Sequence, residues 1–311
     1  MKSKRRHFNS GILIHIYQRT RDGFLLFYNL TDFLVYYTIA SIVAHRYVVQ
    51  VLAMCQMYDH VHLGAKAERL RDLSAFMRDT SMWYSRYGQA PQMKRGNMFD
   101  DQHYGSALKK GDKNVRTNII YIGNNPVERH LVNKAEEYRW NYLAYALSKH
   151  PFSEELIVRN ASTAMKKAIE EVKATHNMDK PLSYIQIRRL FAKLDKKERM
   201  QLVDYIVNTY SLIDYAAASE YFNSVEDMVN CMHYISGSEY DIKETKVGRS
   251  DTCYSEITTW LIKNLHLKDI HDVFLMDDDK RTDLLFRINR ELNIDIRQIA
   301  KYLRLKVESG H

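Results

Sequence analysis

Residues 57–66 have the sequence MYDHVHLGAK, in which polar and apolar side chains alternate from His60 onward. This alternation predicts a β-strand over His60–Lys66. Residues two apart on a strand face the same side, so the imidazoles of His60 and His62 point one way while Val61 points into the core. Two neutral imidazoles at that spacing can share one divalent metal. The H-x-H triplet also occurs by chance, so a purely structural role stays open.

The sequence on both sides of this strand predicts a mixture of strands and helices. Further strands are expected at Gly11–Gln18, within Tyr47–Met57 and around Asp101–Ala107. Helices are expected from an N-cap at Thr31 to Ala44, over Arg69–Tyr87 and over Asp112–Asn124. Pro126 is expected to stop or kink the last of these helices. Strands joined by short turns and interspersed with helices indicate an α+β domain with a small antiparallel sheet, ending near residue 146.

The remainder, residues 147–311, is expected to form an all-α domain. Its predicted helices are Ser162–His176, Ser183–Leu190, Lys196–Asn208, Leu212–Phe222, Val225–Ser236, Asp251–Leu265, Lys280–Leu292 and Asp295–Leu303. The last two, within residues 280–305, are similar to the first two helices of a helix-turn-helix. They are therefore interpreted either as a truncated helix-turn-helix or as a structural pair of helices.

Charge is distributed unevenly along the 311 residues, whose formal net charge is +8. Residues 1–146 contain 21 Lys and Arg against 12 Asp and Glu, whereas residues 147–311 contain 25 against 26. A basic domain attached to a neutral one indicates an anionic partner, with nucleic acid the commonest. Plain solubility is the alternative explanation.

Other sequence features restrict the class of protein. Cys55, Cys231 and Cys253 are odd in number and lack disulfide or metal-ligand spacing, which predicts a reducing cytoplasm. The apolar stretch Phe33–Ala44 is too short to span a bilayer, and no signal peptide is apparent, so no membrane association is expected. No G-x-x-x-x-G-K-[ST] phosphate loop is present, so no nucleotide cofactor is expected.

A second motif, YIGNNP, occupies residues 121–126. Tyr121 and Asn125 share a face if this segment is helical. The Asn125 carbonyl oxygen can complete a metal site, and the Tyr121 phenol can attack phosphorus. Because the chain has 22 tyrosines and most helical tyrosines are packing residues, the motif alone leaves a structural role open.

Together, and in this order, the two motifs resemble those of the REP-associated tyrosine transposases, a branch of the single-tyrosine HUH transposases of insertion sequences. The resemblance covers about residues 7–146. The matching stretches are His15–Thr20, Met57–Leu63, Phe99–Asp100, Gly105–Ser106, Tyr121–Ile122, Asn125–Val127, Glu137–Asn141 and Tyr145. Tyr58 and Gly64 replace a proline and a leucine that the family often has near the histidines. Neither change touches a candidate ligand, and Gly64 is expected to loosen the strand end.

The resemblance implies a ferredoxin-like or RRM-like HUH domain in a bacterial cytoplasmic enzyme. His60, His62 and Asn125 would hold Mg²⁺ or Mn²⁺ beside a scissile phosphate. Tyr121 would attack, leaving a 5′-phosphotyrosine and a free 3′-hydroxyl that can reseal the strand. The implied substrate is a DNA hairpin with an adjacent single-stranded sequence.

Basic residues of the first half are candidates for phosphate contacts. They are Lys4, Arg5, Arg6, Arg19, Lys94, Arg95, Lys109, Lys110, Lys113 and Arg116. Four aromatic residues among them are candidates for base stacking, namely Tyr84, Tyr87, Phe99 and Tyr104. The alternative explanations are that the basic residues form an ordinary solvated surface and that the aromatic residues pack in the core.

Two other functions are compatible with the same motifs. One is an HUH-fold protein that binds hairpin DNA or RNA without cleaving it, and the other is a metal-dependent nuclease that uses water, with Tyr121 only structural. The chain length favours a monomer in which Tyr121 acts in cis.

Overall fold

An antiparallel sheet with strand order β2-β3-β1-β4 lies at the centre of the molecule. The computed structural model describes residues 7–88, 90–93, 98–99, 104–242 and 250–306. The strands are β1 Leu13–Arg19, β2 Gln50–Gln56, β3 His60–Lys66 and β4 Gly105–Lys109. Most other described elements are helices, so the fold is α+β, as predicted.

The pairing of β1 with β3 gathers histidines and a tyrosine on one face of the sheet. His62 lies opposite Tyr17, and Gly64 lies opposite His15. Residues directly opposite each other in an antiparallel pair share a face. The face that carries His15, Tyr17, His60 and His62 is called the histidine face below.

The other face of the sheet is covered by α1 (Leu30–Arg46) and α2 (Leu70–Trp83). Tyr36 of α1 donates a hydrogen bond of 3.0 Å to the Gln18 side chain, which in turn donates to Ser81 of α2. Because Gln18 points away from the histidine face, both helices lie on the opposite side.

The beginning of α1 differs from the prediction. Asn29, not Thr31, is the N-cap, because its side-chain oxygen accepts from the backbone N–H groups of Thr31 at 2.9 Å and Asp32 at 3.1 Å. Asp32 reaches back to the Asn29 N–H and closes a capping box. The reciprocal bonds start the helix earlier than the prediction did.

Helix α3 (Asp112–Glu128) covers the histidine face and runs through Pro126, where the prediction expected it to stop or kink near Asn124. A proline removes one N–H and restricts the preceding residue, yet here the helix continues to Glu128, only two residues further. A Cβ at position 64 would lie 3.3 Å from Ile122 Cδ1, so Gly64 eases the packing of α3 on the sheet. β3 continues past Gly64 to Lys66, but its register with β2 shifts between Val51 and Ala53, the partners of Ala65 and Gly64. The irregularity lies where the glycine was expected to loosen the strand.

The named elements of the helical half, residues 147–311, are helices among its described residues, and Ile213 forms an isolated β-bridge with Val51 of β2. The helices are α4 Thr163–Asn177, α5 Tyr184–Phe191, α6 Lys196–Thr209, α7 Tyr215–Ser219, α8 Val225–Cys231, α9 Cys253–Leu265, α10 Asp278–Leu292 and α11 Ile296–Leu303. Shorter turns of helix occur in both halves of the described chain. Those before residue 147 are Tyr84–Gly88, Pro91–Met93, Ala135–Glu137 and Tyr142–Tyr145, and those after it are Val158–Asn160 and Ile270–Leu275. Helices α7 and α8 are shorter than predicted. The N-cap Asp214 starts α7 at Tyr215, and α8 begins at Val225 as predicted but ends at Cys231. The domain boundary near residue 146 stays a prediction.

The last two helices pack into the molecule. Ile299, Tyr302 and Leu303 of α11 are fully buried and Lys301 is largely enclosed, whereas Arg297 is exposed. Most of the α11 surface is therefore unavailable for groove contacts in this arrangement. No helix in the described part of the chain is both long and apolar enough to cross a bilayer.

Candidate active site between the sheet and helix α3

His60 and His62 lie side by side on the histidine face, as the strand periodicity predicted. Their ring centroids are 4.8 Å apart and the rings are perpendicular. The Tyr17 ring contacts both, with a centroid distance of 5.1 Å to each. Both histidines are buried.

Helix α3 places Tyr121 against the same histidines. The Tyr121 ring centroid is 5.7 Å from that of His62 and 5.9 Å from that of His15. One turn later, the Asn125 amide donates a 2.9 Å hydrogen bond to the Tyr121 carbonyl oxygen. The Asn125 side chain also lies close enough to His62 to raise the pKa of that imidazole, against the larger effect of burial. The four residues selected from two separate motifs thus converge on one buried location.

His62 has the protonation that metal binding requires. Burial, together with repulsion from His60 and His15, holds the pKa of His62 well below its usual value, so its ring is neutral. His60 Nδ1 lies 2.6 Å from an Asp59 carboxylate oxygen, which fixes Nδ1 as the protonated nitrogen. The other ring nitrogen of His60, Nε2, is buried and has no hydrogen-bond partner among the described residues.

The donor set fits a divalent cation only when Asn125 is included. Among the described residues, no three His, Cys, Asp or Glu side chains converge in a metal-binding arrangement. Asp59 is already engaged by His60 and, on its other oxygen, by Lys301 of α11. Two imidazole nitrogens and one amide oxygen suit Mn²⁺ better than the oxygen-preferring Mg²⁺.

Glu239, which follows α8, also reaches this site and was not predicted from the sequence. One carboxylate oxygen accepts from His15 Nδ1 and from the Asn118 amide at 3.2 Å. The other accepts from Lys109 Nζ at 2.9 Å and from the Asp241 N–H at 2.8 Å. Burial opposes ionisation of Glu239, but these hydrogen bonds and the attraction of His15 outweigh it and lower its pKa to about 2.

The chain segment that carries Glu239 lies directly on α3. Gly237 has φ +74°, and a Cβ there would lie 2.4 Å from the Tyr121 backbone nitrogen. Only glycine allows this approach. Asn124 of α3 donates to the Ile235 carbonyl oxygen at 2.5 Å, two residues earlier in the segment. The helical half therefore covers the backbone of the candidate nucleophile.

The candidate phosphate-binding residues have different environments. Arg19, Lys110 and Lys113 are exposed. Lys109 is buried and ion-paired with Glu239 and Asp241, so its position differs from the expected DNA-facing one. Arg116 is half-buried and packs over the Phe222 ring. The remaining candidates lie outside the described residues: Lys4, Arg5, Arg6, Lys94 and Arg95.

Three of the four aromatic residues suggested for base stacking are not at the surface. Tyr84, Phe99 and Tyr104 are buried, and the Tyr84 hydroxyl donates to the Leu26 carbonyl oxygen at 3.0 Å. The Tyr87 side chain lies outside the described part. Two tyrosines of the helical half, Tyr234 and Tyr240, are exposed instead, on either side of Gly237.

Comparisons with known proteins found one distant structural similarity. No protein-family model matches it, and no curated protein matches it. One solved structure, of a REP-associated tyrosine transposase bound to a REP hairpin, is similar at a TM-score of 0.38 and 13% identity. The similarity covers 45% of this chain and 82% of that one, and it is a distant one.

Proposed function

We propose that this chain nicks and rejoins single-stranded DNA in a metal-dependent reaction in which Tyr121 forms a 5′-phosphotyrosine bond. The observation that carries the proposal is the position of the Tyr121 ring, 5.7 Å from that of His62, with Asn125 one helical turn after Tyr121 and close enough to His62 to raise its pKa. A tyrosine beside two histidines and an amide is the arrangement that the motif resemblance implies.

His60, His62 and Asn125 would hold the divalent ion. When bound, such an ion polarises a non-bridging phosphate oxygen and offsets charge in the displacement. The Tyr121 oxygen forms the new bond to phosphorus, and the bond from phosphorus to the 3′ oxygen breaks. The phenolic proton is lost and the departing 3′ oxygen takes up a proton. Because the phosphodiester energy is kept in the tyrosine linkage, the reverse attack reseals the strand without ATP.

The proposed substrate is a DNA hairpin with an unpaired flank. The basic excess of residues 1–146 supports an anionic partner, and Lys110 and Lys113 are exposed around the start of α3. Tyr121, His60, His62 and Asn125 are all buried. A phosphodiester therefore reaches Tyr121 only when the side chains that cover it move aside.

We propose that residues 1–146 perform the chemistry and that the helical half is an accessory domain. Support comes from two residues of the helical half. Glu239 contacts His15, the neighbour of His62, and Lys301 contacts Asp59, the neighbour of His60. Because Tyr121 already lies beside His62 of its own chain, a monomer acting in cis is the proposed working form.

The test is a covalent-capture assay. Purified protein is incubated with Mn²⁺ and end-labelled single-stranded hairpins from beside its own gene, and the products are separated on a denaturing gel. Tyr121→Phe is compared with Tyr142→Phe, a matched control whose buried hydroxyl donates to the Ile119 carbonyl oxygen. We expect a label attached to wild type and Tyr142→Phe on the fragment 3′ of the nick, and none on Tyr121→Phe.

Two results would replace the proposal. Cleavage that survives in Tyr121→Phe would identify water as the nucleophile. Hairpin binding without a nick or an adduct, for every hairpin and metal, would indicate a protein that binds and does not cut.

A further inference from the structure

The Glu239 carboxylate occupies a small anion-binding site. Its side chain is 1% exposed, so the site is closed to solvent. One oxygen accepts from Lys109 Nζ at 2.9 Å, and the other accepts from the Asn118 amide at 3.2 Å and contacts His15 Nδ1. Side chains from β4, α3 and β1 therefore converge on a single carboxylate. All three belong to residues 1–146, whereas the anion that they hold comes from the helical half.

The anion-binding site lies beside the candidate nucleophile. The His15 ring centroid is 5.9 Å from that of Tyr121, and Asn118 precedes Tyr121 by three residues, so the two α3 side chains share a face. A DNA strand with one phosphate at Tyr121 brings its neighbouring backbone phosphates close to this position. Phosphate oxygens accept from lysine and amide groups as carboxylate oxygens do. The site therefore suits either anion, but it holds only one at a time.

We propose that this is a binding site for a DNA backbone phosphate, and that Glu239 is a plug that occupies it until a DNA strand takes its place. Lys109 and Asn118, next to His15, receive the phosphate once Glu239 has left. The inference rests on the proposed function, because the strand in question is the one that reaches Tyr121. Lys109, a candidate phosphate-binding residue, is thus buried in an ion pair only while the plug is in place.

The plug belongs to a segment, residues 234–241, that also covers the candidate nucleophile. Gly237 lies so close to α3 that a Cβ there would be 2.4 Å from the Tyr121 backbone nitrogen. The Ile235 carbonyl oxygen accepts from the Asn124 side chain of α3 at 2.5 Å. Both contacts lie within a few residues of the plug on one continuous stretch of chain. A phosphate that displaces the plug therefore also uncovers α3 at the tyrosine.

The first test measures binding of a labelled hairpin oligonucleotide with an unpaired flank by fluorescence anisotropy, in the presence of a chelator so that no cleavage is needed. Glu239→Gln keeps the shape of the plug and removes its charge. It is expected to bind about 10-fold more tightly than wild type, because the charge-assisted bonds that keep the site occupied are lost. Glu136→Gln is the matched control, because it removes the same charge from a carboxylate that pairs with His233 at 2.8 Å. The control should bind like wild type, and equal affinities of the two variants would overturn the plug.

A second pair of variants tests the phosphate site itself. In the Glu239→Gln background, Lys109→Gln is expected to weaken oligonucleotide binding about 10-fold, because a buried lysine that has lost the plug contacts the phosphate directly. Lys197→Gln in the same background is the charge-matched control, at an exposed lysine of α6 that pairs with Glu154. It should have little effect. Equal losses from the two lysine variants would reduce the site to general charge attraction and overturn it.

Hydrogen–deuterium exchange of the wild-type chain needs no substitution. Peptides that contain residues 234–241 are expected to exchange faster when the oligonucleotide is bound, because the segment has left α3. Slower exchange would mean that DNA binds over the closed segment, and would overturn the proposal. Inorganic phosphate, at the same concentration of phosphate groups, is expected to leave the segment closed. Opening by phosphate alone would assign the site to a small anion and overturn the assignment to DNA.

The plug and the catalytic proposal fail separately. If DNA opens the segment and Glu239→Gln binds more tightly, but no covalent adduct forms with any metal, the catalytic proposal falls and the plug stands. If wild type forms the adduct while Glu239→Gln binds no more tightly and the segment stays closed, the plug falls and the catalytic proposal stands.

Discussion

The molecule contains two buried histidine clusters, and their charge states differ. His62 lies between the sheet and α3, and His271 lies between α1 and the helical half; neither ring is exposed. His271 Nε2 is 3.0 Å from Asp32, and its Nδ1 is 2.8 Å from Asp269. With a carboxylate at each nitrogen, both nitrogens donate and the ring carries a positive charge.

His62 has histidines as neighbours where His271 has carboxylates. Burial lowers the pKa of both rings, but around His271 the attraction and hydrogen bonds of Asp32 and Asp269 outweigh burial and raise the pKa to about 9. Around His62, repulsion from His60 and His15 acts in the same direction as burial. The comparison teaches that neighbouring charges, and not burial, decide whether a buried histidine is an ion-pair partner or a candidate ligand.

The largest effect is expected from removing one carboxylate of the charged cluster. Asp32→Asn leaves the buried His271 cation with one acidic partner and weakens the bonds that Asp32 accepts from the backbone at Tyr28 and Asn29. The free energy of unfolding, measured with urea, is expected to fall by about 3–5 kcal/mol. Asp22→Asn, at an exposed aspartate, is the control and should change it by less than about 0.5 kcal/mol. Equal losses in both variants would contradict the charged state of His271.

The pH dependence of stability is the next test. The pKa of His271 is raised from 6.5 to about 9 in the folded state, so its contribution is fully present below pH 6.5 and is lost as the pH rises through about 9. The shift corresponds to about 3 kcal/mol. His271→Gln should remove this part of the decline between pH 6 and pH 9.5. An unchanged profile in the variant would show that other groups cause the decline.

Metal addition should stabilise the protein only through the site that contains His62. Mn²⁺ at 100 times its dissociation constant is expected to stabilise wild type by about 2.7 kcal/mol, and a chelator should reverse this. The stabilisation should persist in His271→Gln and disappear in His62→Gln. Thermal melts with and without Mn²⁺ measure the difference, and stabilisation that persists in His62→Gln would place the metal elsewhere.

The smallest effect is expected from His62→Gln without metal. A neutral buried ring that makes one ordinary hydrogen bond contributes about 1 kcal/mol. Urea unfolding in the presence of a chelator should therefore show a much smaller loss than Asp32→Asn does. A loss of unfolding free energy as large as that of Asp32→Asn would mean that the main role of His62 is to stabilise the fold.

Much of the fold could be predicted because local patterns determine it. The strand His60–Lys66 lies where the alternation placed it, and six of the predicted helices of the second half lie within a few residues of their expected bounds. The errors have local causes that composition does not reveal. Asn29 capped α1 ahead of Thr31, and Pro126 was accommodated two residues before the helix ended.

The sequence by itself determined that His60 shares a face with His62 and Tyr121 with Asn125, because the strand and helix periods depend only on nearby residues. Only the tertiary structure decided that α3 lies on the histidine face, that Lys109 is buried in an ion pair, and that Glu239 bonds His15 from 224 positions away. Such contacts depend on how whole elements pack, and no local pattern records the partner of a buried charge.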